Sequence, residues 1–412
     1  MSVESAKGVR DFPPNEKIVR DEVVSKLKRI FEIYGFSPLE TPVFERLEVL
    51  TSKFAAGEDS DAAKEIFKFK DQGDRKLGLR FDLTVPLARY VAQNPNIKLP
   101  FKRYEIGRVY RDGPIKLGRY REFYQCDVDT VGVEGVEAEA ELILLAVEVF
   151  KELGLDAYIE INDRKVLHAI LKSADVPESK HEEAIIIIDK LKKIGEKEVE
   201  KELKSIGVEN AKELVDTFSN EEKIRSIADM KEIDKLLSMM PKKKVVFNPS
   251  LARGLAYYTG IVFEGFLNDS EIKSSICGGG RYDKMIGLYG NKDLPAVGIS
   301  FGIEPITEFM KLQRKEEVKT LTKVFVIPIK TFEESLKITQ KLRHAKINTE
   351  IDLLGKGISK NLDYVNSQGI PFAIFVGQKE LEKEVVKLKN MKTGEEKELK
   401  IEDASEFLNK HK

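Results

Sequence analysis

Val109-Tyr110-Arg111-Asp112-Gly113-Pro114-Ile115-Lys116-Leu117-Gly118-Arg119-Tyr120-Arg121-Glu122-Phe123-Tyr124-Gln125-Cys126-Asp127-Val128-Asp129 is the stretch whose reading decides the fold. β-Favouring residues flank a Gly/Pro turn, which predicts two strands joined by a loop. Three arginines, Arg111, Arg119 and Arg121, enter and leave the turn, and the second strand ends in carboxylates. Arginine presents a planar, permanently charged fork of donors, so arginines on a rigid hairpin suit a phosphate chain held in one pose. The arginines alone fit a solvated strand pair equally well.

A second segment breaks that tie. Leu251-Ala252-Arg253-Gly254-Leu255-Ala256-Tyr257-Tyr258-Thr259-Gly260 alone reads as a Gly-bearing turn into the apolar strand Ile261-Val262-Phe263. Gly8-Val9-Arg10-Asp11, Leu79-Arg80-Phe81-Asp82-Leu83-Thr84 and Gly279-Gly280-Arg281-Tyr282-Asp283 complete the pattern. Together these segments resemble the histidyl enzymes among the class II aminoacyl-tRNA synthetases. The hairpin resembles their motif 2, and Arg253 to Tyr258 resembles their Arg-Gly-Leu-x-Tyr-Tyr signature. The resemblance runs from about residue 7 to the C-terminus.

Composition bounds the same reading. At 412 residues the chain exceeds one ordinary core, so two or three domains are expected. With 69 basic and 70 acidic residues there is no overall attraction to nucleic acid, and an RNA surface has to be a local basic patch. Cys126 and Cys277 cannot build a disulfide framework, and His168, His181, His344 and His411 lack metal-ligand spacing, so no protein-held metal is expected. The N-terminus shows no leader pattern and no stretch is long enough to span a bilayer, which predicts a soluble, cytoplasmic protein.

Along the chain, Pro13-Pro14-Asn15 opens a helix with apolar residues at helical spacing from Ile18 to Tyr34, ended by Gly35. An extended segment, Phe36 to Phe44, follows. The pair resembles motif 1, which implies a homodimer. Strands are expected at Leu77–Asp82, in the hairpin and at Ala157–Ile161, interrupted by an apolar helix from about Val136 to Leu153. Between Ser173 and Pro241, interleaved charges with apolar Ile185, Ile188, Leu191 and Ile194 predict a helical insertion. Its closing lysines, Lys242 to Lys244, are read equally as a solvated face and as a tRNA contact. Strands resume at Val245–Phe247 and Gly260–Leu267, and Pro295 to Glu304 resembles motif 3. After a charged linker near Gln313 to Lys319, strand and helix alternate, which implies a largely parallel sheet. It resembles the anticodon-binding domain of this synthetase subgroup.

The expected class is therefore α/β, with an antiparallel class II synthetase sheet flanked by helices. The expected parts are a catalytic domain in two pieces, 1–172 and 242–318, a helical insertion domain at 173–241, and an anticodon-binding domain at 322–412.

No Gly-x-x-x-x-Gly-Lys-Ser/Thr loop occurs, so P-loop nucleotide binding is excluded. Adenylation needs no protein nucleophile, because the amino acid carboxylate attacks the α-phosphorus and catalysis reduces to positioning and charge neutralisation. The resemblance implies ATP, Mg2+, L-histidine and tRNA(His) as the ligands, with Arg111 and Arg253 as the catalytic pair on the α-phosphate and the carboxylate. It places Arg119 and Arg121, with Arg111, on the ATP phosphates. It places Asp82, Thr84 and Gln125 at the substrate α-amino group, Asp129 and Tyr258 on the imidazole, and Arg253, Tyr257 and Tyr282 around the same pocket. Strand alternation would turn Tyr257 away from Tyr258.

The family often has Glu at Asp82 and Asp at Ala256. The larger departure is Gly302-Ile303-Glu304-Pro305, where motif 3 normally ends in an arginine for the ATP γ-phosphate. Arg119 and, second, Arg281 are the expected substitutes. That departure keeps an alternative open, a non-catalytic histidine-sensing regulatory subunit of ATP phosphoribosyltransferase. Such relatives usually lack the anticodon domain and the Arg-Gly-Leu motif, which this chain keeps. A generic tRNA-binding accessory protein would not need Asp82, Thr84 and Asp129.

Overall fold

The computed structural model describes residues 3–52, 61–115, 120–253, 257–272, 274–290, 292–314 and 317–410. The chain divides into two compact units, Met1–Asp11 with Glu22–Met310, and Phe12–Asp21 with Lys311–Lys412.

The first unit is built on an eight-stranded sheet. Its strands are β1 (Ser37–Pro38), β2 (Phe101–Tyr110), β3 (Glu122–Val131), β4 (Ala157–Asp163), β5 (Val245–Phe247), β6 (Ile261–Leu267), β7 (Cys277–Arg281) and β8 (Ala296–Phe301). They lie in the order β1-β2-β3-β8-β7-β6-β4-β5. The six central strands pair antiparallel, and only the short edge strands β1 and β5 pair parallel. A small antiparallel sheet of Phe44–Arg46, Lys76–Leu79 and Lys68–Lys70 stands beside it. The strand expected through Asp82 stops at Leu79 because Asp82 turns to cap the helix Thr84–Gln93, its Oδ1 accepting the Val85 N–H at 3.0 Å.

Period-two alternation separates a dry face from a polar one. On β3, Cys126 and Val128 enter the core with Leu142, Ile143, Ala146 and Val149 of the helix Glu137–Glu152. Gln125, Asp127 and Asp129 are left for the opposite face. The helical stretch between β4 and β5 has no core of its own. Its buried Ile185, Ile188, Val199, Leu203, Leu214 and Ile233 belong to the same cluster as the sheet's dry face. Ile194, expected among them, is half exposed, because its helix is the single turn Leu191–Ile194, ended by Gly195 at φ +80°.

In the second unit, Val324–Pro328 lies between Thr349–Ile351 and Phe372–Val376, all parallel, and the hairpin Val386–Asn390/Glu396–Leu399 continues the sheet antiparallel. Val324 and Val326 pack with Leu342 and Leu408 on one face, while Phe325 and Ile327 pack with Val365 and Ile370 on the other. Burial on both faces explains why this strand reads as an unbroken apolar run. No described helix is long and apolar enough to cross a membrane.

Candidate active site

The polar face of the antiparallel sheet carries a cavity of about 300 Å³. Thr84, Arg111, Gln125, Asp129, Arg253, Tyr257, Tyr258 and Tyr282, far apart in sequence, all line it. Asp82 is buried close by and helps raise the pKa of Asp127, Asp129 and Tyr257.

Three residues of β3 at period two, Gln125, Asp127 and Asp129, form one wall. Directly across on β2, in register with Asp129, is Arg103, whose guanidinium is wholly buried and lies 2.8 Å from Asp129 Oδ2. The Tyr282 hydroxyl donates to Asp129 Oδ1. Gly298 faces Asp129 in the antiparallel register, and a Cβ there would collide with that carboxylate. Burial, with the neighbouring Asp129 charge, pushes the Asp127 carboxyl up to about 7, against the opposing pull of Arg103. Burial raises Asp129 as well, opposed by Arg103 and the Tyr282 hydrogen bond. Asp127 Oδ1 and Gln125 Oε1 are buried and have no hydrogen-bond partner among the described residues. Unpaired acceptors beside crowded acids call for a cationic donor such as an ammonium or imidazolium.

Opposite charge meets these acids. Arg111 is stacked between Phe81 and Phe123, its guanidinium carbon 4.3 and 5.0 Å from the ring centroids. Arg253 lies over β7, with Nη1 3.5 Å from Glu264 Oε1 and 3.4 Å from the Phe263 carbonyl. Its guanidinium fits only because residue 278 is glycine, since a Cβ there would overlap Arg253 Nη1. A second cavity of about 340 Å³ shares Arg111, Gln125, Ser300 and Gly302 with the first, and adds Tyr120, Phe123, Tyr124 and Pro305. Its aromatic walls suit a planar base. The arrangement can therefore hold a small zwitterion with its cation on the acids and its anion toward two arginines, next to a slot for a nucleoside.

Several expectations need correction or completion. Tyr257 does not turn away from Tyr258. Both residues precede β6, where no strand alternation applies, and their rings lie against each other, tilted at 49° with centroids 4.7 Å apart. Arg281 is unavailable to a phosphate, because all five of its donor positions are engaged by Glu139, Asp283 and the carbonyls of Val133 and Gly135. Arg121 is tied to Asp112 at 3.1 Å, and its backbone N–H bonds the Gly8 carbonyl at 2.8 Å. Arg119 and Ala256 lie outside the described residues. Pro305 occupies the first turn of the helix Ile303–Leu312, a position that tolerates a missing N–H, and lines the aromatic cavity.

Asp127 and Arg103 were not singled out from sequence. Asp127 could have been, since it sits two residues from both Gln125 and Asp129 and so shares their face. Arg103 required the strand register.

Residues 8–306 match the family described as histidyl-tRNA synthetase, and residues 323–411 match the anticodon binding domain. The histidine–tRNA ligase 1 of Bacillus anthracis is 41% identical over 431 aligned positions, covering 99% of this chain and 100% of that protein. The histidyl-tRNA synthetase structure from Nostoc sp. PCC 7120 superposes with a TM-score of 0.86 at 29% identity over 100% of both chains. A structure from Bacillus halodurans, described as an ATP phosphoribosyltransferase regulatory subunit/histidyl-tRNA synthetase, reaches 0.74 at 22% identity over 88% of this chain and 97% of that one, which speaks to fold alone. On the match of residues 8–306 and the full-length identity, this chain belongs to the histidyl-tRNA synthetase family.

Proposed function

We propose that this protein is a histidine–tRNA ligase that activates L-histidine with ATP and transfers it to the 3′ end of tRNA(His). A histidine carboxylate oxygen attacks the α-phosphorus, and pyrophosphate leaves with the P–O bond electrons. A terminal tRNA hydroxyl then attacks the acyl carbonyl and gives up its proton, and AMP leaves with the electrons of the broken acyl C–O bond. One observation carries the reading: a single cavity sets Gln125, Asp127 and Asp129 against Arg111 and Arg253. The acids and Thr84 hold the α-ammonium and imidazole, with Tyr258 and Tyr282 completing the imidazole contacts. Arg111 and Arg253 neutralise charge as it spreads over the α-phosphate. Phe123 and Tyr120 flank the adenine.

Among the described residues no cluster of three or more His, Cys, Asp or Glu could hold a metal. Mg2+ would be held chiefly through the ATP phosphates and its own waters. The ion would add charge neutralisation at the outer phosphates. Residues 322–412 serve the anticodon, the protein works as a cytoplasmic homodimer, and the regulatory-subunit reading is disfavoured because Arg253 faces the pocket and the anticodon-type unit is present.

Histidine-dependent exchange of labelled pyrophosphate into ATP, with other amino acids as controls, tests the activity. Arg111→Ala and Arg253→Ala should each slow it by roughly 100- to 1000-fold, the cost of removing a preorganised donor. Histidine binding without any exchange in the unsubstituted protein would favour the regulatory-subunit reading.

A further inference from the structure

Arg253 is presented from a backbone that its own loop does not favour. Its φ of +48° lies in the left-handed region, sparsely populated for a residue with a Cβ, and such a conformation persists where surrounding contacts impose it. One contact does so from far away in sequence. Asp189 Oδ1 accepts the N–H of Ala252 at 3.0 Å and the N–H of Arg253 at 3.1 Å. Asp189 is the residue that closes the C-terminal end of the helix His181–Ile188, in the helical stretch between β4 and β5. Both bonds go to one carboxylate oxygen.

We infer that Asp189 is the positioning residue for Arg253. It fixes the backbone, while Glu264 and the glycine at 278 fix where the guanidinium lies. The helical stretch is thereby part of the amino acid activation machinery. Asp189 also walls a cavity of about 690 Å³ that shares Ser275 with the active-site cavity. The geometry stands by itself, whereas its kinetic consequence rests on the synthetase reading.

The test compares Asp189→Ala, Asp189→Glu and Asp189→Asn in the full chain by two readouts. One is amide hydrogen exchange at Ala252 and Arg253 in the ligand-free protein. The other is pyrophosphate exchange resolved into kcat and KM. Asp189→Ala and Asp189→Glu should speed amide exchange about tenfold or more, as expected for a lost hydrogen bond. They should lower kcat about 100-fold, the scale of a catalytic group misplaced by an ångström, with a smaller change in KM for histidine. Asp189→Asn keeps an oxygen acceptor in place and should recover most of both. Unchanged amide protection in Asp189→Ala overturns the inference, and so does an Asn variant as impaired as the Ala variant. Absence of pyrophosphate exchange in the unsubstituted protein would sink the synthetase reading instead, and amide exchange still decides the clamp.

Discussion

Asp127 is a buried carboxyl whose charged form costs stability. Its folded-state pKa is pushed up to about 7 from an ordinary 3.8, so the folded protein holds this proton more tightly than the unfolded chain. The contribution is fully present below the unfolded value and is lost as pH rises through about 7. Asp127→Asn should therefore raise the melting temperature of the ligand-free protein at pH 8, on the order of a few degrees, and raise it less at pH 5, where part of the contribution is still present, while weakening histidine binding. Equal shifts at both pH values would show that Asp127 is not held protonated. Gly278 acts by clearance. The Cβ of Gly278→Ala would meet the end of a flexible side chain, so the fold should survive while Arg253 moves. Activation should fall about 100-fold with a near-normal melting temperature, and an unimpaired kcat would deny Arg253 its assigned place.

At the scale of elements, the β2–β3 hairpin joins the dry core to the charged site. Arg103 is wholly buried between Asp129 and Glu105, with Nη1 3.7 Å from Glu105 Oε2. Glu105 in turn bonds Arg80 at 2.9 Å and the Thr41 hydroxyl at 2.8 Å. Removing one partner of such a buried set strands the others. Arg103→Met should cost about 3–5 kcal/mol of unfolding free energy in urea titration, far more than loss of an exposed pair such as Lys70–Asp74, for which no measurable change is expected. A small effect at Arg103 would mean that this buried set does not depend on its guanidinium.

For the whole molecule, the two units predict separable activities. A chain ending at Gln313 removes the second unit's sheet, and it also removes Glu317, which accepts from Asn15 at 2.6 Å on the first turns of the helix Pro14–Ile33. That exposed contact is a minor loss. Histidine activation should persist, whereas charging of tRNA(His) should drop sharply. Parallel loss of both would assign the second unit a role in supporting the catalytic sheet.

Local pattern by itself determined much of this protein. Alternation on β3 and the apolar runs of the second unit specify their elements locally, and the expected alternation of helix and strand is seen in Ile358–Gln368 followed by Phe372–Val376. Both periods are properties of residues two to four positions apart, so they are legible in one dimension. The tertiary structure alone decided which distant groups meet. Arg103 reaches Asp129 through strand register, Arg281 is consumed by Glu139 at 142 positions' separation, and Asp189 seizes the Arg253 backbone across 64. Such pairings depend on how strands and helices pack after loop closure, and no neighbour in sequence records them.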